Sequence, residues 1–386
     1  MQSNQDILYL AKTNFRNKNE RFGIRQADRL LHTYIIGKTG TGKTTLLETM
    51  LMQDIQDGRG CCLLDPHGDL VSKIAGQIPE YRQQDVIYLD ITDINQPWGY
   101  NPIKRVSFEK RPLIASSILE VFKKLWSNAW GPKLEHIFRF TLLALLDQPK
   151  ATMADIPTML MDKDFRKQAL VHVESKEVKE FWKKEFPRYM QNDILPVLNK
   201  VGSILVYPAI RRVIIENRQE ISLRKAIDNG KILLVNLSKG AVGEDVCQIL
   251  GALLLTSLAS AAFSRVDIPE EHRKPFHIVC DEAQNFATLS LVNMLSELRK
   301  YKVSLTLSHQ YMNQLETEIL DAVLGNVGTH ICFRIDAMDA NRMAQKMLLE
   351  FEPIDFMYLP NYHIYLTLMI DGKPSKPFSA ITICPV

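Results

Sequence analysis

Gly37-Lys38-Thr39-Gly40-Thr41-Gly42-Lys43-Thr44-Thr45 lies between an apolar run, Tyr34-Ile35-Ile36, and a helical pattern, Thr45-Leu46-Leu47-Glu48-Thr49-Met50-Leu51. The spacing is G-x-x-x-x-G-K-[ST], and the flanks read as a buried strand entering a glycine-rich loop and a helix leaving it. Glycines let the backbone wrap so that successive N–H groups point inward at β- and γ-phosphates, aided by the positive end of the helix. Gly37, Thr39, Gly40, Thr41, Gly42, Lys43, Thr44 and Thr45 are the expected cradle. Lys43 supplies a point charge against phosphate oxygens, and the Thr44 hydroxyl is the expected Mg²⁺ ligand. A glycine-rich turn with a chance lysine is the bland alternative, and the strand–loop–helix setting argues against it.

A second stretch, Phe276-His277-Ile278-Val279-Cys280-Asp281-Glu282, is a mostly apolar strand ending in two acids, roughly 240 residues after the loop. Asp281 is expected to hold the Mg²⁺ shell and Glu282 to act as general base on an attacking water. A helix N-cap is the competing reading for such an acid pair.

Other strands fill in a sheet. Gly60-Cys61-Cys62-Leu63-Leu64 runs into Asp65-Pro66-His67-Gly68-Asp69-Leu70, and Val86-Ile87-Tyr88-Leu89 follows. Strand, helix, strand, helix, strand is the rhythm of a parallel sheet covered on both faces. Asp65 stands where ligands bind in such sheets, to hold Mg²⁺-bound water or sense a γ-phosphate; equally it can cap the helix that begins near Leu70. His67 has a third option, contact with a neighbouring subunit. Val303 to Leu307 is tipped by Ser308-His309-Gln310, and Gln310 can sense a γ-phosphate or be an ordinary turn amide. His330 to Ile335 is a further strand carrying Arg334. Asp371-Gly372 between apolar runs signals a hairpin, expected to close one sheet edge.

Between residues 104 and 228 the pattern is helical, punctuated by prolines, and reads as an all-α insertion. The chain then divides as 1–103 and 229–386 for the sheet and 104–228 for the helices. Trp126, Trp130 and Trp182 can stack on bases, but packing is the favoured reading. The loop Ser238 to Asp245 reads as flexible.

Of 386 residues, 24% are charged and 46% hydrophobic, as in an ordinary globular protein. The net charge of +3 conceals a division: Ile103 to Asn229 holds 23 Lys+Arg against 15 Asp+Glu. A basic middle is a mild sign of an acidic partner such as nucleic acid, though solvated helix faces explain it as well. Six cysteines show no C-x-x-C spacing, which argues against zinc and for buried free thiols in a reducing compartment. The polar stretch Met1 to Glu20 carries no signal-peptide pattern, and Ile249 to Phe263, the longest apolar run, fits a core helix. No membrane span is therefore expected.

Taken in order, the phosphate loop, Asp65 to Leu70, Asp281-Glu282-Ala283-Gln284, Ser308-His309-Gln310 and Gly325-Asn326-Val327-Gly328-Thr329 before Phe333-Arg334 resemble the TraG/TraD-type coupling proteins of conjugation and type IV secretion. These belong to the HerA/FtsK group of ring-shaped P-loop DNA motors. The resemblance covers most of residues 25–103 and 229–386, and the helical insertion matches the family's all-α domain in position and size. It implies an α/β fold, a RecA-like P-loop NTPase sheet with an inserted all-α domain, working as a hexamer with ATP and Mg²⁺ at subunit boundaries and DNA in the central channel. A relaxase and the secretion-channel proteins are the implied further partners. An arginine from the neighbouring subunit completes each site; by spacing to Gln310 it falls on Arg299, with Arg334 second. For Arg299 a solvated helix-end cation is the plain alternative. Such proteins usually begin with membrane helices, and the departure from that pattern here leaves two expectations, a soluble branch or an anchor supplied by a partner: a cytoplasmic chain, in the second case held at the inner face of the membrane through partners. The rival readings are a receptor that gates protein cargo, a HerA-like DNA-processing motor and a slow nucleotide switch.

Overall fold

In the computed structural model, residues 6–14 and 18–384 are described. Strands β1 (Ile7–Thr13), β2 (Arg21–Arg25), β3 (Thr33–Ile36), β4 (Gly60–Asp65), β5 (Val86–Asp90), β6 (Ile232–Asn236), β7 (Phe276–Cys280), β8 (Val303–His309), β9 (Thr329–Cys332), β10 (His363–Thr367) and β11 (Phe378–Thr382) form one sheet. Its order is β2-β1-β11-β10-β9-β3-β8-β7-β4-β6-β5. The centre is parallel: β3 pairs with β8 and β9, β7 with β8 and β4, and β4 with β6. Every residue of β3, β4, β6, β7 and β8 is inside; β4 and β6 read as nearly unbroken apolar runs, as strands covered on both faces do, whereas β8 alternates Ser304, Thr306 and Ser308 with apolar residues and is buried all the same.

Alternate residues of these strands serve different helices. Ile35, Leu63, Val279 and Ile331 join Leu46, Leu47, Met50 and Leu51 of helix Lys43–Gln56, and Leu70, Val71 and Ile74 of helix Asp69–Ala75, in one core. Within it the Arg29 guanidinium forks onto both oxygens of Asp54 at 2.6 and 2.7 Å, with neither side chain exposed, and Arg59 adds a third contact at 2.7 Å. Burial opposes ionisation of Asp54 more than any one neighbour favours it, but the charge and hydrogen bond of Arg29, with His277 and Arg59, together hold the carboxyl well below the usual range.

The antiparallel flank departs from the expected edge. The arms on either side of Asp371-Gly372 do form a hairpin, β10 pairing antiparallel with β11 from His363–Ile381 to Leu366–Phe378, with a two-residue ladder of Met369–Ile370 and Lys373–Pro374 at its tip and both turn residues at positive φ, but this hairpin closes no edge of the large sheet. β11 is enclosed instead, because β1 pairs with it through Ala11, Lys12 and Thr13, and β2 then pairs with β1 and takes the edge. Gly23 permits that pairing: a Cβ there would lie 2.0 Å from the Leu8 carbonyl oxygen.

The contacts divide the chain into two compact units. One comprises residues 1–89, 223–238 and 261–386 and contains the sheet; the other comprises 90–222 and 239–260 and is almost entirely helical. In the second, helices Arg111–Leu125 and Pro132–Leu146 pack through Phe122 and Phe138, with ring centroids 4.8 Å apart. Trp182 is buried against Phe181 and Phe186 and donates to the Phe140 carbonyl, a packing role; Trp130 donates to Glu135, and Trp126 lies against Phe122. Pro196 lies inside helix Gln191–Leu205 rather than ending it. Lys239–Val242 is a short helix, so the stretch after β6 is less irregular than its small residues suggest. The helical stretch from Glu244 to Asp267 has 24 residues, and an 18-residue window within it has a mean hydropathy of 1.9, the length and composition of a membrane span, yet 72% of that window is buried within the protein. That burial suits a core helix.

Candidate active site

Five of the residues singled out by sequence stand at the carboxyl ends of adjacent parallel strands. Gly37 follows β3, Asp65 ends β4, Asp281 follows β7, Gln310 follows β8 and Arg334 follows β9. This is the edge of an open α/β sheet where ligands bind. The strand β8 separates the phosphate loop from the acid pair, so Gln310 stands between them.

The loop from Gly37 to Gly42 is closed on itself. Lys43 Nζ donates to the Gly37 carbonyl at 2.5 Å and the Lys38 carbonyl at 3.1 Å, and the Thr41 hydroxyl donates to the Lys38 carbonyl at 2.7 Å. Two backbone bonds hang it from its neighbours, Gly37 N–H to the His309 carbonyl and Lys38 N–H to the Arg334 carbonyl. Gly42, at φ 117°, is the N-cap of helix Lys43–Gln56. A Cβ there would sit 2.8 Å from the Tyr362 ring. Thr39 and Gly40 are exposed, as is Thr44 at the first turn, and Thr45 is half-buried.

Burial lowers the pKa of Lys43, and the carboxylates of Glu282 and Asp281 work against that shift. The coupling places the lysine within electrostatic reach of both acids. Asp281 is pushed up to about 6, first by burial, then by the neighbouring Glu282 and Asp65 carboxylates, with Lys43 opposing. A cation beside it would favour the ionised form. The Thr44 hydroxyl and Asp281 Oδ2 make no hydrogen bond to the described residues, so both remain available as hard oxygen ligands. Among the described residues no three His, Cys, Asp or Glu side chains cluster as a metal cage. Mg²⁺ needs none, because it keeps waters and takes one or two protein ligands beside substrate phosphates. The donors present fit it.

Glu282 has the most constrained geometry. Its backbone is left-handed, φ 46° and ψ 55°, a conformation costly for a residue with a Cβ and frequent at functional sites. The Gln310 amide donates to Oε1 at 2.9 Å and the Gln284 amide to Oε2 at 2.9 Å. Asn285 Nδ2 donates to the Glu282 carbonyl, and Gln314 Oε1 accepts from the Gln310 N–H. Asn285 was not singled out in the sequence, and Gln284 stood only as the last residue of the Asp281-Glu282-Ala283-Gln284 stretch, with no role assigned; an amide two residues after the acid was the available signal.

Asp65 uses both oxygens on backbone, accepting from His67 N–H at 2.8 Å and Val71 N–H at 3.0 Å, so its carboxylate secures the turn into helix Asp69–Ala75. His67 is exposed. The two arginines differ in setting. Arg334 is half-buried and tied within its own chain, donating to the Leu359 carbonyl and to Asn361 Oδ1, each at 3.0 Å. Arg299 is exposed, and its side chain bonds to none of the described residues. It precedes β8, whereas Gln310 follows it. Seven strand residues separate the two, about 20 Å at ~3.3 Å per residue. Arg299 therefore stands at the opposite edge of the sheet from Lys43.

Residues 23–352 match the family described as type IV secretion-system coupling protein DNA-binding domain. No protein of curated function matches the sequence. Among solved structures, plasmid coupling protein TrwB in complex with the non-hydrolysable GTP analogue GDPNP is 15% identical, with TM-score 0.66 over 97% of this chain and 89% of that one. TrwB in complex with ADP and Mg²⁺ is 16% identical at the same TM-score and coverage. VirB4 of Thermoanaerobacter pseudethanolicus is 14% identical, with TM-score 0.65 over 98% of this chain and 96% of that one. The fold is the RecA-like P-loop sheet with a helical domain that these structures share.

Proposed function

The chain belongs to the type IV secretion-system coupling proteins, and from that premise we propose that it is a ring-forming, Mg²⁺-dependent ATPase that moves DNA. The observation that carries the reading is the setting of Glu282: a carboxylate in strained backbone, held at both oxygens by amides, within electrostatic reach of the phosphate-loop lysine. Lys43 would exchange its two loop carbonyls for phosphate oxygens. Thr44 and Asp281 would hold Mg²⁺, which when bound neutralises phosphate charge. Glu282, aimed by Gln284 and Gln310, would accept a proton from the attacking water. Gln310 would report loss of the γ-phosphate, since one amide bridges the catalytic carboxylate and the end of β8.

Arg299 lies across the sheet from its own site, so a catalytic role for it requires a second copy whose site faces that edge. Given that role, the assembly is a closed ring, which we take to be a hexamer, with the arginine acting in trans. TrwB is described with GDPNP, with ADPNP and with ADP and Mg²⁺, in agreement with a nucleotide site here. The family description supports DNA as cargo, and the basic residues 103–229 and the segment after β6 are the surfaces we assign to its backbone. Phosphate contacts would make binding salt-sensitive and nearly sequence-blind. We place the protein in the cytoplasm, at the inner face of the membrane through channel partners. Glu282→Gln tests the mechanism: the variant should bind ATP and assemble, yet lose hydrolysis. Unchanged turnover in Glu282→Gln would remove this reading.

A further inference from the structure

Tyr362 is held in a conformation that its neighbours impose. Its φ is 67°, left-handed and unfavourable for an aromatic residue. Its N–H donates to the Thr41 carbonyl at 2.8 Å, and its carbonyl accepts from both Thr382 N–H and the Thr382 hydroxyl. Arg334 fixes the segment just before it, through Leu359 and Asn361. The ring is thereby laid along Gly42, close enough that a Cβ on that glycine would collide with it, yet 45% of the residue remains exposed. A large aromatic pinned in strained backbone and left open to solvent, against the loop that cradles phosphates, is not explained by core packing.

Its side of the loop matters. The acid pair lies beyond β8 on one flank of β3, so a γ-phosphate cleaved by Glu282 would point that way. Tyr362 precedes β10, which lies beyond β9 on the other flank. A triphosphate stretched across the loop would carry its sugar and base out on the Tyr362 side. We propose that Tyr362 is the stacking platform for the nucleobase, a purine, and that Arg334 acts in its own subunit by positioning the segment that presents the ring. The proposal rests on the nucleotide reading above. It makes base recognition a matter of surface contact, so adenine and guanine should be held alike, because both offer the same two-ring face.

The test compares MgATP with inorganic tripolyphosphate, which has the phosphates but no base, by calorimetry on the full chain. The unaltered protein should bind MgATP more tightly than tripolyphosphate. Tyr362→Ala should weaken MgATP roughly five- to hundredfold, the range for loss of one stacked base, and leave tripolyphosphate unchanged. Tyr362→Phe should retain MgATP affinity, which excludes a role of the hydroxyl. An equal loss for both ligands, or no loss for either, overturns the platform. Circular dichroism and thermal melting of Tyr362→Ala, matched to the unaltered protein, exclude a folding defect, so an equal loss in the folded variant counts against the platform. Failure of the unaltered chain to bind either ligand removes the nucleotide reading itself, and this proposal with it.

Discussion

The Gln310 side-chain amide donates to Glu282 Oε1 at 2.9 Å, joining the tip of β8 to the acid that ends the neighbouring strand. It fixes one carboxylate oxygen, as Gln284 fixes the other, on an acid within electrostatic reach of Lys43. Removing it frees the carboxylate to rotate without touching the phosphate cradle. Gln310→Ala should lower kcat by about tenfold or more, a part of the ~10²–10⁴ that a positioned base contributes, with ATP affinity nearly unchanged. Steady-state kinetics beside equilibrium binding check this; a rise in Kd with kcat intact would assign Gln310 to binding instead.

Arg299→Ala should abolish most turnover, by about 10³-fold or more if it stabilises transferred-phosphate charge. Its place at the far edge of the sheet adds a sharper expectation. Arg299→Ala and Glu282→Gln proteins, each inactive alone, should recover activity when mixed, because some sites then combine an intact Glu282 with an intact Arg299 from the neighbour. No recovery on mixing would mean that the two residues do not meet across a boundary.

Arg334 is predicted to behave differently. Its guanidinium holds Leu359 and Asn361, so Arg334→Ala should raise KM for ATP while kcat falls little. A large loss of kcat at saturating ATP, with KM unchanged, would restore Arg334 as the charge-stabilising arginine.

Four histidines of the sheet unit are buried and held neutral. Burial lowers His32 and His309 to about 4, and His277 and His330 to about 3, from 6.5. Below pH 6.5 the unfolded chain binds protons that the folded chain refuses, so stability is full above that value and falls as pH drops towards the folded pKa values. Each histidine should contribute a slope approaching ~1.4 kcal/mol per pH unit. Urea midpoints from pH 7.5 to 4.5 should fall steeply below pH 6.5. A flat profile would mean that these rings take up protons in place.

How much of this was legible follows from how local each signal is. The loop Gly37 to Thr45 and the pair Asp281-Glu282 announce themselves, because glycine spacing and an acid at a strand end are properties of a few adjacent residues. That β8 lies between them could not be derived from Gln310, which an ordinary turn amide explains equally well; the strand order shows it. The edge was not readable either. β1 and β11 are separated by most of the chain, and nothing in either names its partner. Nor was Pro196 inside a helix, where tertiary packing outweighs a missing hydrogen bond. Asp65 illustrates a genuine degeneracy: the same residue at the same place can serve a ligand or secure a turn, and only the N–H groups of His67 and Val71 show what its oxygens touch. Tyr362 carried no signal, because its importance comes from contact with Gly42, 320 positions earlier.

The central claim is that the Lys43 loop and Glu282 act on one triphosphate, at a boundary between copies, to drive DNA. The most direct measurement is ATP turnover with single-stranded DNA, double-stranded DNA and none, recorded together with the oligomeric mass in the presence of nucleotide. The account predicts assembly beyond the monomer and a rate that rises with at least one form of DNA. A protein that stays monomeric with nucleotide bound, and whose rate neither DNA changes, would contradict it.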